Sequence, residues 1–304
     1  MSADDRRAGA SNYLTPLVDL ATGALRHRYH GRRGVLATQH QKLSLIGPAL
    51  HDAVGLNVDD IAVDTDSLGT FTGDVTRTGT PWDTAVAKAR LGMQVAGCPI
   101  GLASEGSIGS HAEAPFVIRS VELVVLVDDE LNVVVGEAET GYDIVAVADD
   151  VAVGDAIDHL LVRARFPEHA LTVRPATGPT HPIFKGINTL RALDQAIREC
   201  ASVSSDQRAH VETDLRAHQC PTRRPVIARA AHRLAARLAA CCPDCNTPGW
   251  GITQLEFGVP CGYCGRSVHL PRADVLGCAA CSATRTVPRE QTFADPARCD
   301  WCNP

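Results

Sequence analysis

Eight cysteines in the last quarter of the chain fall into four Cys-x-x-Cys pairs: Cys242/Cys245, Cys261/Cys264, Cys278/Cys281 and Cys299/Cys302. Four thiolates make a closed tetrahedral site for Zn²⁺, so this tail holds ligands for two structural zinc ions and leaves no open position for catalysis. Fifteen residues separate Cys245 from Cys261 and seventeen separate Cys281 from Cys299, against thirteen in the middle gap. That favours sequential sites, pairs one with two and three with four, with interleaving as the alternative. Pro243, Gly262 and Gly265 beside the cysteines suit tight knuckles whose N–H groups face sulfur. The tail has few large apolar side chains, so its core is marginal without metal. Disulfides are the competing use of these thiols. They need an oxidising compartment, and polar Met1–Ala10 has no apolar signal core, so the chain reads as cytoplasmic. Cys98, Cys200 and Cys220 lack partners at metal spacing and read as buried small residues.

Three earlier segments could converge on a second chemistry. Ala37-Thr38-Gln39-His40-Gln41-Lys42 reads as a strand end and helix start, where backbone N–H groups, a hydroxyl and a lysine suit phosphate. Asp83 and Lys88 share a helix, and Arg77 precedes it. Ser104-Glu105-Gly106-Ser107 follows a strand, at the sheet edge where ligands bind in open α/β folds. Asp83 and Glu105 could hold Mg²⁺ through carboxylate oxygens, while Lys42, Arg77 and Lys88 neutralise phosphates. Ser104 near His111 suggests a nucleophile, but no third orienting group is identifiable. Taken singly, each segment is ordinary: a turn, a solvated lysine, a surface histidine.

The elements that must position these residues alternate. Strands are expected at Gly34–Thr38, Ile61–Asp64 and Ala170–Val173, and a hairpin from Val121–Val127 and Asn132–Ala138. Helices are expected at Gln41–Val54, interrupted at Gly47-Pro48, at Pro81–Ala96 with Thr80 as cap, and at Asp155–Phe166. The reading is therefore an α/β domain over 31–180 with a mixed open sheet, a helical linker region over 186–240, and a double zinc-ribbon module over 241–304. In the last helix Arg229, Arg233 and Arg237 repeat every fourth residue, which reads as a solvated basic face. The stretch Asp214, Arg216, His218, Arg223 and Arg224 could complete a phosphate pocket or serve in caps and salt bridges.

Charge is uneven. Residues 1–185 carry a balance of −9, residues 186–240 carry +4 and the tail −1, within a total of −6. Zinc thiolate centres would add further negative charge, so the tail is a poor phosphate-backbone binder and nucleic acid is not the expected partner.

The Ala37–Lys42 loop, the helix Asp83-Thr84-Ala85-Val86-Ala87-Lys88-Ala89 and the Glu105-Gly106 turn resemble the inosine triphosphate pyrophosphatase superfamily. That resemblance implies a metal-dependent pyrophosphatase acting on non-canonical nucleoside triphosphates. Glu105, Asp83 and Lys42 would be catalytic, and Thr38, His40, Arg77, Lys88 and Gly106 would bind the nucleotide. The whole chain also resembles a bacterial domain-of-unknown-function family numbered 6671, through Gly69–Gly73, Leu102–Gly109, His181–Gly186, Thr213–His218 and Pro221-Thr222-Arg223. The alternative expectation is a non-catalytic adaptor that senses a nucleotide or anion and contacts a protein partner through its zinc tail.

Overall fold

The structure, a computed structural model, describes residues 27–38, 41–63, 79–111 and 114–304. Its first sheet contains β1 (Arg33–Ala37), β2 (Asn57–Ile61), β3 (Ile100–Ser110), β4 (Ile118–Asp128) and β5 (Val133–Gly141), in the order β2-β1-β3-β4-β5. β1 is parallel to β2 and β3, and the rest are antiparallel. Alternation sorts the side chains. Val35, Ala103, Val125 and Val127 meet α2 (Pro81–Ala96) on one face. Leu36, Leu102, Val124 and Leu126 meet α1 (Leu43–Val54) and α5 (Arg224–Ala239) on the other. A period of two thus builds two cores from one set of strands.

α2 starts where expected. Thr80 accepts from the Asp83 N–H, and Asp83 accepts from the Thr80 N–H, a reciprocal capping box with Pro81 in the first turn. α1 differs from expectation, because it runs through Pro48 without a break. Pro48 is the sixth of its twelve residues, so the helix forgoes one intrahelical bond there and is held by the packing of buried Ile46, Ala49 and Leu50 on either side. β2 lies earlier than expected because it is an edge strand with a mostly solvent-facing side-chain pattern, so no apolar run marks it. The hairpin forms as expected, with Asp128 Oδ1 accepting from the N–H groups of Glu130 and Leu131.

The expected α/β domain over 31–180 is redrawn. The first sheet ends at β5, and β6 (Ala148–Ala152) and β7 (Leu171–Pro175) join a second sheet with β8 (Phe184–Ile187) and β9 (Arg208–Thr213), in the order β6-β9-β7-β8. All its pairs are antiparallel. α3 (Asp158–Arg163), shorter than expected, and α4 (Leu190–Val203) close its core through Leu160, Leu193 and Ile197. Residues 186–240 are therefore not purely helical. β9 alternates intermediate and buried residues, and its buried Ala209, Val211 and Thr213 face inward. α5 then returns to the first sheet. Its arginines are not a free solvated face: Arg229 pairs with Glu139, and Arg233 and Arg237 with Glu137, all on β5.

The tail is a meander of β10 (Gly251–Pro260), β11 (Ser267–Gly277) and β12 (Thr284–Pro288). No helix among the described residues is long and apolar enough to cross a membrane.

Candidate functional site

β1 pairs with β3 only at Val35↔Gly101 and Leu36↔Leu102, whereas β3 continues to Ser110. Residues 104–106 therefore lie past the end of β1, which stops at Ala37, and side chains from α1, α2, β4 and the start of α5 gather beside them. Lys42, at the N-cap of α1, donates from Nζ to Ser104 Oγ at 2.8 Å. One residue on, Glu105 points to the opposite face and meets Lys88 of α2, Nζ to Oε1 at 2.5 Å. Gly106 returns to the Ser104 face opposite Glu122 of β4. Arg223, just before α5, forks onto Glu122, with Nε to Oε1 at 2.7 Å and Nη2 to Oε2 at 2.9 Å. Both side chains are 0% exposed, and Arg223 Nη1 also donates to the Leu215 carbonyl. Position 106 must be small here, because a Cβ would sit 2.2 Å from Arg223 Nη2 and 2.7 Å from Glu122 Oε2.

Three cations and two acids leave the cluster with one excess positive charge when all are ionised. Each acid has a cation partner. Lys42 differs: among the described residues its ammonium has one hydrogen-bond acceptor, a neutral hydroxyl. Burial pushes Lys42 down to about 8, and repulsion from Arg223 and Lys88 adds to this against the pull of Glu122 and Glu105. Among the described residues the Lys42 ammonium thus keeps spare donors and no acid of its own.

The two expected metal acids are not assembled into one cradle. Asp83 faces solvent, and its Oδ2 accepts from the Thr80 hydroxyl at 2.6 Å and the Thr80 N–H at 3.1 Å. Those bonds hold its carboxyl below the usual range. Glu105 is committed to Lys88. Thr38 lies beside the crevice at the end of β1, its N–H donating to the Ile61 carbonyl. His40, Arg77 and the Gly69–Gly73 loop lie outside the described residues. Within the 214–224 group, Arg223 bonds Glu122, while Asp214 takes a fork from Arg216 and an N–H from Gly186. Glu122 was missed from sequence, although a glutamate in register with Val124 and Leu126 on an apolar strand marks a buried charge.

The thiols form two clusters, Cys242/Cys245/Cys278/Cys281 and Cys261/Cys264/Cys299/Cys302, with all sulfurs of each within 4.8 Å of one another. The pairing is interleaved, and the sequential expectation is corrected. Cys245 and Cys261 flank β10, whose ten residues span about 33 Å, so they cannot share an ion. The meander instead brings pair three to pair one at one end and pair four to pair two at the other. Sulfur separations of 3.6 Å (Cys245–Cys278), 3.7 Å (Cys264–Cys299) and 3.8 Å (Cys242–Cys281 and Cys261–Cys302) match the edge of a tetrahedron with Zn–S of about 2.3 Å. The Cys264 and Tyr263 N–H groups pull Cys261 down to about 7, which favours the thiolate a metal needs.

No curated protein matches this chain. Residues 88–304 match the domain of unknown function DUF6671, a span that starts at Lys88 and takes in Glu105, Glu122, Arg223 and all eight clustered cysteines. The chain, matched over more than half its length, belongs to the DUF6671 family.

Proposed function

We propose that the crevice beyond β1 binds phosphate groups, and that the chain is a hydrolase acting on the phosphoanhydride of a nucleotide. The observation that carries this reading is Lys42, a buried ammonium hydrogen-bonded only to a hydroxyl among the described residues, in a cluster with one surplus cation. Charge that develops on a transferring phosphoryl group would be stabilised by Lys42, in a site where little water competes. Arg223 holds Glu122 on the Lys42 face, so that wall keeps its shape as an anion enters, while Lys88 holds Glu105 on the other face of β3. The resemblance of Lys42, Lys88 and Glu105 to the pyrophosphatase superfamily points the same way and suggests a non-canonical nucleoside triphosphate. Asp83 and Glu105 are given no cation in this reading, since their carboxylates are held by Thr80 and Lys88. Both cysteine clusters are read as structural zinc, which agrees with a reducing, cytoplasmic setting.

The test is thermal unfolding with pyrophosphate and a nucleotide panel, coupled to pyrophosphate and phosphate release. A rise in Tm that Lys42→Met abolishes supports the site. Absence of any rise with every anion rejects it. The adaptor reading has its own observation. Both knuckles of the distal cysteine cluster present aromatics, Tyr263 at 84% and Trp301 at 65% exposed, and Arg266 lies 3.6 Å over the Trp301 ring. Such residues anchor protein contacts. Ligand binding without turnover would favour it.

A further inference from the structure

We propose that Ser104 is a nucleophile in this crevice and that Lys42 is the base that takes its proton. The inference deepens the phosphate reading by naming a covalent step at the same site. Nucleophile and base must lie within hydrogen-bond reach, and the Lys42 Nζ to Ser104 Oγ distance of 2.8 Å meets that requirement. Both side chains are buried, so the pair sits outside bulk water. The two come from different elements, the N-cap of α1 and the middle of β3, so their meeting is a product of the fold and not of local sequence.

A lysine serves as a base only when neutral, which an exposed lysine seldom is near neutral pH. Here burial and the cations around it bring Lys42 to about 8, so an appreciable fraction is neutral at physiological pH. The charged groups facing it are Arg223 before α5, Glu122 on β4, Glu105 on β3 and Lys88 on α2. Serine–lysine pairs perform this chemistry on unrelated folds. His111, considered from sequence as a partner for Ser104, instead lies near Tyr142, with ring centroids 6.3 Å apart.

The step balances without a further reagent. Ser104 Oγ attacks phosphorus, and its proton passes to neutral Lys42 Nζ. The Oγ–P bond forms as the anhydride P–O bond breaks, and the bonding pair leaves with the departing phosphate oxygen. Water then attacks the phosphoserine. The Oγ–P bond pair returns to Oγ, which recovers the proton from the Lys42 ammonium, and phosphate leaves with the elements of water.

The experiment treats the full zinc-loaded chain with diisopropyl fluorophosphate and locates adducts by peptide mass. One adduct on Ser104 is expected. Its rate should rise about tenfold per pH unit below 8 and level off above, as the neutral amine accumulates. Lys42→Arg keeps the charge but cannot give up its proton, and should slow labelling by at least about 100-fold. No adduct at Ser104, a flat pH profile, or equal labelling of Lys42→Arg would each overturn the proposal. If Lys42→Arg fails to fold, the wild-type pH profile decides alone. Pyrophosphate stabilisation measured on the same sample separates the two ideas. A Tm rise without the adduct leaves the anion site standing and removes the nucleophile. An adduct without a Tm rise supports the nucleophile and rejects the phosphate reading.

Discussion

The crevice and the tail both concentrate polar chemistry in small volumes, but they are held in opposite ways. The crevice sits at the rim of a large apolar core. Leu36, Leu102, Leu126, Ile227 and Leu234 lock its strands and helices before any ligand arrives. In the distal ribbon the packed cluster is Val259, Cys261, Val268, Ala294 and Cys299, so two of its five buried members belong to the four-thiol cluster itself. There the sulfurs replace a core, whereas at the crevice a core supports the charges. Chelation should accordingly separate the regions. A strong chelator, or Cys242→Ser with Cys299→Ser, should remove hydrogen-exchange protection from residues 251–288 while the first sheet stays protected, with about two zinc ions released per chain. Simultaneous loss of both regions would break the contrast.

The next largest effect belongs to the buried Arg223–Glu122 fork. Arg223→Met leaves an uncompensated carboxylate and should cost about 3–5 kcal/mol in denaturant unfolding, whereas Arg223→Met with Glu122→Leu should recover most of it. Equal loss in the single and double variants would show that packing, and not charge, dominates there. Lys42 gives a pH signature. Its folded pKa of about 8 lies below its ordinary value of 10.5, so the unfolded chain binds more protons between those values. This residue's contribution therefore makes stability rise with pH from about 8 to about 10.5. Pyrophosphate affinity should fall as pH rises through about 8, where the ammonium of the folded chain discharges. Lys42→Met should abolish both trends. The smallest effect is at the cap: Thr80→Ala should lower stability by about 1 kcal/mol and leave pyrophosphate binding unchanged, since the box serves the helix end and not the crevice. A binding defect there would return Asp83 to the site.

The parts readable from sequence were those fixed by local rules. Thr80-Pro81 starts α2, the hairpin turn joins β4 to β5, and the cysteine pairs announce two four-thiol clusters. The rest depended on distance along the fold. The pairing of thiols turned on β10 being extended, which loop length alone does not reveal. From sequence β7 reads as the last strand of the first domain and nothing marks β6, because the partners that take them into a second sheet, β8 and β9, come later in the chain. Lys42 and Glu105 both reach the stretch of β3 beyond β1 but from opposite faces, and the Asp83 carboxylate is engaged by its capping bonds to Thr80. Glu122 and Arg223 lie about a hundred residues apart and meet only because α5 returns to the first sheet.

The claim most open to direct measurement is that this rim holds an anion through Lys42. Calorimetric titration of the zinc-loaded chain with pyrophosphate at pH 7, beside Lys42→Met and the conservative Lys42→Arg, tests it. The account predicts one site per chain in wild type, retained in weakened form by Lys42→Arg and lost in Lys42→Met, whose Tm is no lower than that of wild type. Binding of equal strength in Lys42→Met, or none in the wild type, would contradict it.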